Sequence, residues 1–185
     1  MRNLRSDCVL IIIDVQDRLV DTIAEHVSVV RNVSTLIKAA RALDVPILVT
    51  EQEKLGVTVT ELNASLGIRP FQKSSFSCCG DTKFMNELQS CGKRTVIVCG
   101  IETHICILQT VLDLLNQSFV VLVVRDATSS HNIIDRETAL ERMRDAGAGL
   151  TTTETIIYEL TADSRNESFR KILDIVKEKR AMNST

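Results

Sequence analysis

The stretch VIVCGIETHICI, residues 96–107, contains the change of pattern that decides the fold. Its first four residues are apolar and the run stops at Gly100, as expected for a strand that is buried on both faces of a parallel sheet. After Cys106 the chain reads ILQTVLDLL, in which apolar residues recur at helical spacing. The stretch therefore predicts a strand over 94–100 and a helix over 103–116, with a cysteine close to the start of that helix.

The same alternation of apolar strands and amphipathic helices extends along the chain in both directions. Strands are predicted over 8–13, 46–50, 69–73, 94–100, 119–127 and 150–153, and helices over 28–43, 81–91, 103–116, 135–148 and 164–180. The segment 51–67 is long for a connection and is interpreted as a loop over the site. Strands that alternate with helices predict an α/β fold, a parallel sheet covered by helices on both faces. The length fits a single domain spanning residues 1–185.

Composition and charge limit the classes of function. The net charge is −2, aromatic residues make up 3% of the chain, and Trp is absent, which together disfavour a nucleic-acid-binding surface. The longest apolar runs, CVLIII and FVVLVV, fall short of the roughly 20 residues of a membrane-spanning helix. None of the six cysteines forms a C-x-x-C pair, and we interpret them as reduced thiols. We expect a cytoplasmic protein, with a mitochondrial location left open.

Three reactive side chains follow three different predicted strands. Asp14 ends the first strand, Lys73 ends the third, and Cys106 opens the helix after the fourth. Ligands of open parallel sheets bind outside the carboxyl ends of the strands, so we expect the three side chains to meet there. A helix N-terminus and a lysine ammonium both favour a thiolate, so a depressed pKa is expected for Cys106. Asp14 would carry the proton between the thiol and the leaving group.

Each of these residues also has an interpretation without chemistry, and other candidates are weaker. Taken singly, an Asp after a strand is usually a cap, a Lys is usually solvated, and a Cys in an apolar helix is usually core. His104 lies two residues before Cys106, a spacing that does not bring side chains together on a helix. His131 is interpreted as a surface residue, the pair Cys78-Cys79 as packing, and Asp126 as the cap of the turn DATSS after the fifth strand.

Three motifs in this order resemble the isochorismatase-like, or cysteine hydrolase, family: LIIIDVQDRL with Asp14, KSSFS with Lys73, and VIVCGIETHICIL with Cys106. The resemblance covers roughly residues 7 to 160. It implies a Rossmann-like three-layer α/β/α fold with a six-stranded parallel sheet and a catalytic triad of Asp14, Lys73 and Cys106. It also implies a cis peptide bond between Ile101 and Glu102, and an oxyanion hole made by the backbone amides of Glu102 and Cys106.

Two departures from the family narrow the expected reaction. Nicotinamidases of the family carry an Asp-x-His metal motif after the second strand, but the corresponding stretch here, VTEQEKLG, has no His. Isochorismatases that act on isochorismate lack the nucleophilic cysteine. We therefore expect a hydrolase with neither metal nor cofactor, which acts on a small amide or imide C–N bond through a thioester. The alternatives are a ribonuclease or RNA-binding protein, since some trypanosomatid members are labelled mitochondrial-associated ribonuclease, and a non-catalytic partner-binding module.

The last predicted helix, over 164–180, suggests self-association. It carries an apolar stripe made of Phe169, Ile172, Leu173 and Val176. Because it follows the last strand, part of this stripe is expected to have no sheet to cover, and exposed apolar patches commonly mark interfaces. We therefore expect a homo-oligomer, at least a dimer.

Overall fold

A six-stranded parallel sheet is the middle layer of the structure, a computed structural model that describes residues 4–182 (the backbone alone at Ala64). The strands lie in the order β3-β2-β1-β4-β5-β6. Their bounds are β1 Cys8–Ile13, β2 Ile47–Gln52, β3 Phe71–Lys73, β4 Thr95–Ile101, β5 Val120–Ser129 and β6 Gly149–Thr151. The prediction of an α/β fold with a six-stranded parallel sheet is confirmed. The single domain over 1–185 stays a prediction, since residues 1–3 and 183–185 lie outside the described part.

Seven α-helices connect and cover the strands within residues 4–182. They are α1 His26–Ala42, α2 Thr60–Leu66, α3 Thr82–Ser90, α4 Leu108–Asn116, α5 Ile133–Asp145, α6 Thr153–Thr161 and α7 Phe169–Met182. A π-helical turn, Thr103–Ile107, leads directly into α4, and short 3-10 turns lie at Leu4–Asp7, Val20–Thr22 and Cys78–Gly80. In the described residues no helix is long and apolar enough to cross a membrane.

The two faces of the sheet form two separate cores, as the continuous apolar strands predict. In β1, Cys8, Leu10 and Ile12 point to one face, and Val9, Ile11 and Ile13 point to the other. Helices α1, α2, α6 and α7 cover the first face, while α3, α4 and α5 cover the second. All six residues of β1 are buried, so each strand position contributes apolar burial to one core or the other.

Three sequence-based assignments are wrong in detail. The segment 51–67 is not one loop, because β2 continues to Gln52 and the helix α2 follows. The helix α6 was not predicted, although Thr152 caps it by accepting from the backbone N–H of Thr155. Strand β5 does not end at Asp126 but continues to Ser129. The Asp126 carboxylate instead accepts hydrogen bonds from the backbone N–H and hydroxyl of Thr153, so it caps α6 rather than a turn.

The apolar stripe on the last helix is covered within the subunit. Ile172 and Val176 of α7 are buried in the core beside α1. Phe169 and Leu173 are partly buried. The stripe therefore supplies no large free face for a second copy, and it gives no reason to expect a dimer.

Gly100 allows β4 to approach β1 closely at the edge that carries Asp14. Gly100 pairs with Ile13 in the register of the two strands, and its φ is +122°. A Cβ atom at this position would lie 2.1 Å from the carbonyl oxygen of Ile13, well inside van der Waals contact. Only glycine combines this φ with this approach, so Gly100 sets the distance between the ends of β1 and β4.

Candidate active site

Asp14 lies immediately after β1 and is fully buried. Its φ of 52° is left-handed, a conformation that Asp and Asn adopt more readily than most residues. One carboxylate oxygen, Oδ1, accepts a hydrogen bond of 2.8 Å from the hydroxyl of Thr50 on β2. The other, Oδ2, lies 2.7 Å from the ammonium of Lys73. The turn after β1 thus directs a buried carboxylate towards the ends of the neighbouring strands.

Lys73 is the last residue of β3, and its side chain has no exposed surface. Its ammonium donates to Asp14 Oδ2 at 2.7 Å, to Gln52 Oε1 at 2.8 Å, and to the carbonyl oxygens of Phe76 and Ser75 at 3.1 and 3.2 Å. Burial alone would lower the pKa of Lys73, but the charge and hydrogen bond of Asp14 outweigh it and raise the pKa above its usual value. The ammonium is therefore a fixed positive charge and not a proton acceptor.

Cys106 lies in the π-helical turn that leads into α4, with 7% of its surface exposed. The pKa of its thiol is raised to about 12, first by burial and then by the charge of Asp14, while the charge of Lys73 lowers it. The expectation of a depressed pKa is therefore wrong, because burial and the carboxylate outweigh the ammonium. In the resting site the thiol therefore keeps its proton.

The segment before Cys106 connects the ends of β4 and β5. The peptide bond between Ile101 and Glu102 is cis. The carbonyl oxygen of Glu102 accepts hydrogen bonds from the backbone N–H groups of Ile105 and Ile107, both at 3.2 Å. Its carboxylate accepts one of 2.8 Å from the backbone N–H of His131, in the loop after β5. Glu102 therefore fixes this segment to both the helix that carries Cys106 and the neighbouring loop.

The three histidines make contacts other than with Cys106. His104 Nδ1 lies 2.9 Å from the hydroxyl of Ser130 and 3.9 Å from the Glu102 carboxylate. His131 is exposed, and its Nδ1 lies 2.7 Å from the carbonyl oxygen of Thr22. His26 begins α1. These contacts hold loops together at the carboxyl edge, and they favour Asp14 over histidine as the proton carrier for the thiol.

Sequence reasoning missed three polar residues that contact the candidate residues Asp14, Lys73 and Cys106. Thr50 holds Asp14, as described above, and the thiol of Cys78 lies 3.8 Å from the Thr50 hydroxyl. The hydroxyl of Thr110 accepts from the backbone N–H of Cys78 at 3.0 Å and donates to the carbonyl oxygen of Cys106 at 2.7 Å. Gln52 holds Lys73. The signal that could have found both threonines is a single hydroxyl residue in each of two largely apolar stretches, PILVT and ILQTVLDLL.

The end of β2 does not resemble a metal site. Both carboxylate oxygens of Glu51 are already bonded: Oε1 accepts from the backbone N–H and hydroxyl of Thr58, and Oε2 accepts from the side-chain amide of Gln72. Across residues 4–182, no group of three or more His, Cys, Asp or Glu side chains is placed to hold a metal ion. Glu51 instead connects β2 to the segment around Thr58 and to β3.

A cavity of about 460 Å³ lies away from these residues. It is lined by residues of α1 and α7 and of the segments near Val20 and Val59, and its lining includes none of the triad. Cavity size therefore does not identify the reactive site of this protein. Asp14, Lys73 and Cys106 form the candidate site instead, because ligands of parallel sheets bind at the carboxyl ends of the strands.

The sequence profile of the family described as Isochorismatase domain matches residues 8–155, which include Asp14, Lys73 and Cys106. The chain belongs to the isochorismatase family. Isochorismatase domain-containing protein 2A of Mus musculus is 43% identical over 180 residues, which are 96% of this chain and 86% of that protein. The relationship therefore extends over nearly the whole chain.

Two solved structures of family relatives share the fold. The MAR1 ribonuclease from Caenorhabditis elegans is 35% identical, with a TM-score of 0.89 over 95% of this chain and 92% of that one. The YcaC gene product of Escherichia coli, described as an octameric hydrolase of unknown specificity, is 25% identical, with a TM-score of 0.88 over 97% and 93% of the two chains. Membership of the isochorismatase family supports a hydrolase-type function for the present protein.

Proposed function

We propose that this isochorismatase family member is a metal-independent cysteine hydrolase that cleaves a small amide or imide C–N bond through a thioester on Cys106. The observation that carries the proposal is a buried thiol whose pKa is raised by the charge of the Asp14 carboxylate, which is itself held 2.7 Å from the buried ammonium of Lys73. A nucleophile, a base within hydrogen-bond reach and a third group that orients the base are the parts that covalent catalysis requires.

In the first step Cys106 Sγ attacks the carbonyl carbon of the substrate. Because burial and Asp14 raise the pKa of the thiol to about 12, free thiolate is scarce at neutral pH. The thiol proton must therefore pass to Asp14 as the S–C bond forms. The C–N bond then breaks, Asp14 gives the proton to the departing nitrogen, and ammonia or an amine leaves a thioester behind. Lys73 keeps its protons throughout, because its pKa is raised. Its charge holds the Asp14 carboxylate in place.

In the second step a water molecule resolves the thioester. Asp14 takes a proton from the water as its oxygen adds to the carbonyl carbon. The C–S bond breaks, and the sulfur recovers a proton from Asp14, which returns the site to its starting state and releases a carboxylic acid. In both steps the negative carbonyl oxygen is expected to bind the backbone N–H groups of Glu102 and Cys106, which lie at the start of the helical segment, where N–H groups lack intrahelical acceptors.

An amide panel with Cys106→Ala as control tests this proposal. We expect release of ammonia or amine by the native protein and none above background by the variant. Intact-mass measurement after rapid acid quenching should show an acyl group on the native protein alone, because the variant has no sulfur to form the thioester. Circular dichroism must show that Cys106→Ala is folded. Equal turnover by the two proteins would exclude Cys106 as the nucleophile.

A ribonuclease is the second candidate, and a specific observation favours it: the structural relative from Caenorhabditis elegans bears that name. The composition weighs against it, since a net charge of −2 and 3% aromatic residues offer little to a phosphate backbone or to stacked bases. Cleavage of a fluorescent RNA that persists in repurified protein and disappears in Cys106→Ala would favour the ribonuclease over the amide hydrolase. A protein that binds a partner but turns over neither substrate would indicate a non-catalytic module.

We also propose that the protein forms a homo-oligomer, now on the octameric state described for the Escherichia coli relative and not on the stripe of α7. Light scattering at micromolar concentration should give a mass that is a multiple of 20.6 kDa. A mass of one chain would contradict this proposal.

All six cysteines are free thiols, which fits a reducing compartment such as the cytoplasm or the mitochondrial matrix.

A further inference from the structure

We infer that the site selects an uncharged amide with an apolar substituent and disfavours amides that also carry a carboxylate group. This inference rests on the proposed amide hydrolysis and names its substrate class. It follows from two independent features of the carboxyl edge of the sheet: the charges near Cys106, and the exposed apolar side chains in the segments that follow the strands there.

The ammonium of Lys73 has no hydrogen-bond donor left for a substrate. An ammonium has three N–H groups, and Lys73 already has four acceptors within 3.2 Å, namely Asp14, Gln52 and the carbonyl oxygens of Ser75 and Phe76. Its charge is also balanced by Asp14. A substrate carboxylate therefore finds no unpaired donor at Lys73, and burying it beside Asp14 without a partner would be costly.

The carboxylate of Glu102 further disfavours a substrate that carries a carboxylate. Glu102 lies at the start of the helical segment that carries Cys106, and 14% of its side-chain surface is exposed. Its hydrogen bond from the His131 backbone N–H fixes the carboxylate at this end of the segment. A carboxylate-bearing substrate would thus approach two negative groups, Asp14 and Glu102. Arg18 and Lys54 are exposed cations in the loops after β1 and β2, and they would be the source of any opposite preference.

Three apolar side chains are exposed in segments that follow strands at the carboxyl edge of the sheet. Val57, Phe76 and Ile134 have 57%, 53% and 73% of their surface exposed. Each follows a strand at the carboxyl edge, β2, β3 and β5 respectively. The carbonyl oxygen of Phe76 lies 3.1 Å from the Lys73 ammonium. The backbone of Val57 is hydrogen-bonded to Asp17, three residues after Asp14. Large apolar side chains exposed at the sheet edge that carries the proposed nucleophile are typical of a surface that binds an apolar group.

Two isosteric amides test the inference. 4-Methylpentanamide and succinamate have the same number of non-hydrogen atoms and differ in an isopropyl group against a carboxylate. We expect kcat/KM for 4-methylpentanamide to exceed that for succinamate by at least about tenfold, the order of discrimination that one unsatisfied group produces. Glu102→Gln should raise the ratio of kcat/KM for succinamate to kcat/KM for 4-methylpentanamide, because it removes a charge but keeps an acceptor for His131.

Matched variants locate the apolar contact. Val57→Ala and Phe76→Ala should each raise KM for 4-methylpentanamide severalfold, while Val120→Ala should not, because Val120 is equally apolar and 38% exposed but lies at the opposite end of β5. A kcat/KM for succinamate equal to or above that for 4-methylpentanamide would overturn the inference and leave amide hydrolysis standing. So would an increase in KM in Val120→Ala as large as in Val57→Ala. If neither amide is hydrolysed and no acyl group forms on Cys106, the proposed function itself fails, and the inference with it.

Discussion

We expect Asp14→Asn to lower kcat/KM for amide hydrolysis by about 10²–10⁴-fold, the usual contribution of a positioned proton carrier. The same substitution should make Cys106 more reactive towards iodoacetamide at pH 8. Both expected effects have one cause: in the proposed mechanism the Asp14 carboxylate receives the thiol proton, and its negative charge raises the pKa of that thiol. Replacing it with a neutral amide removes the acceptor and lowers the pKa of Cys106 together. Turnover therefore falls while alkylation accelerates.

Asn fits the position of Asp14 well enough to keep the fold. It adopts the left-handed φ of 52° about as readily as Asp does. Its amide oxygen can still accept from Lys73, and its NH₂ group can donate to the hydroxyl of Thr50. Asp44→Asn is a matched control, because Asp44 is also left-handed at φ 54° but lies after α1 with 87% of its side chain exposed. Turnover and alkylation rates should be unchanged in the control, and full turnover in Asp14→Asn would refute the role of Asp14.

Lys73→Met should destabilise the protein by about 3–5 kcal/mol, the usual cost of leaving one partner of a buried ion pair alone. Methionine fills much of the space of the lysine stem but leaves Asp14 buried without its cation. It also leaves the acceptor oxygens of Gln52, Ser75 and Phe76 without their donor. Urea unfolding followed by circular dichroism measures the change, as a lower midpoint at an unchanged slope.

An exposed ion pair of the same length provides the contrast. Lys38 lies 2.6 Å from Glu178 between α1 and α7, with 38% and 45% of the two side chains exposed. Lys38→Met should cost no more than about 1 kcal/mol, because water and salt screen the pair. The double variant Asp14→Asn/Lys73→Met should be more stable than Lys73→Met alone, since no unpaired charge remains. If Lys73→Met and Lys38→Met cost the same, the Asp14–Lys73 pair is not isolated from water as the structure has it.

The sheet could be predicted from the sequence because its strands are buried on both faces. CVLIII and TVIVCGI are continuous apolar runs that stop at Asp14 and near Gly100, and the observed β1 and β4 agree with the predicted ranges to within one residue at each end. Local pattern was insufficient for α6. TTTETIIYELT contains six β-branched Thr and Ile residues in its first seven, and its helical state depends on a cap from Asp126, which is distant in sequence.

The position of the candidate site could be inferred, but its electrostatics could not. Parallel strands deliver their following residues to one edge, so Asp14, Lys73 and Cys106 were expected to be close without any coordinates. The pKa of Cys106 depends instead on how much water reaches the thiol and on which charge lies nearer, and neither quantity is encoded in residue spacing. The supporting roles of Thr50 and Thr110 likewise depend on contacts between segments that are remote in sequence.

The strand order also affects how the chain can fold while it is being synthesised. β1 is central in the sheet, and its partner β4 begins only at Thr95, so Cys8 must wait for about half of the chain to be made before it can pair on that side. Until then the nascent protein carries a fully apolar strand with one open edge, the kind of surface that invites association with other chains. Closing so long a loop is also entropically slow. We therefore expect the emerging N-terminal half to depend on chaperones at the ribosome, and the Asp14–Cys106 contact to form only after β4 has been released.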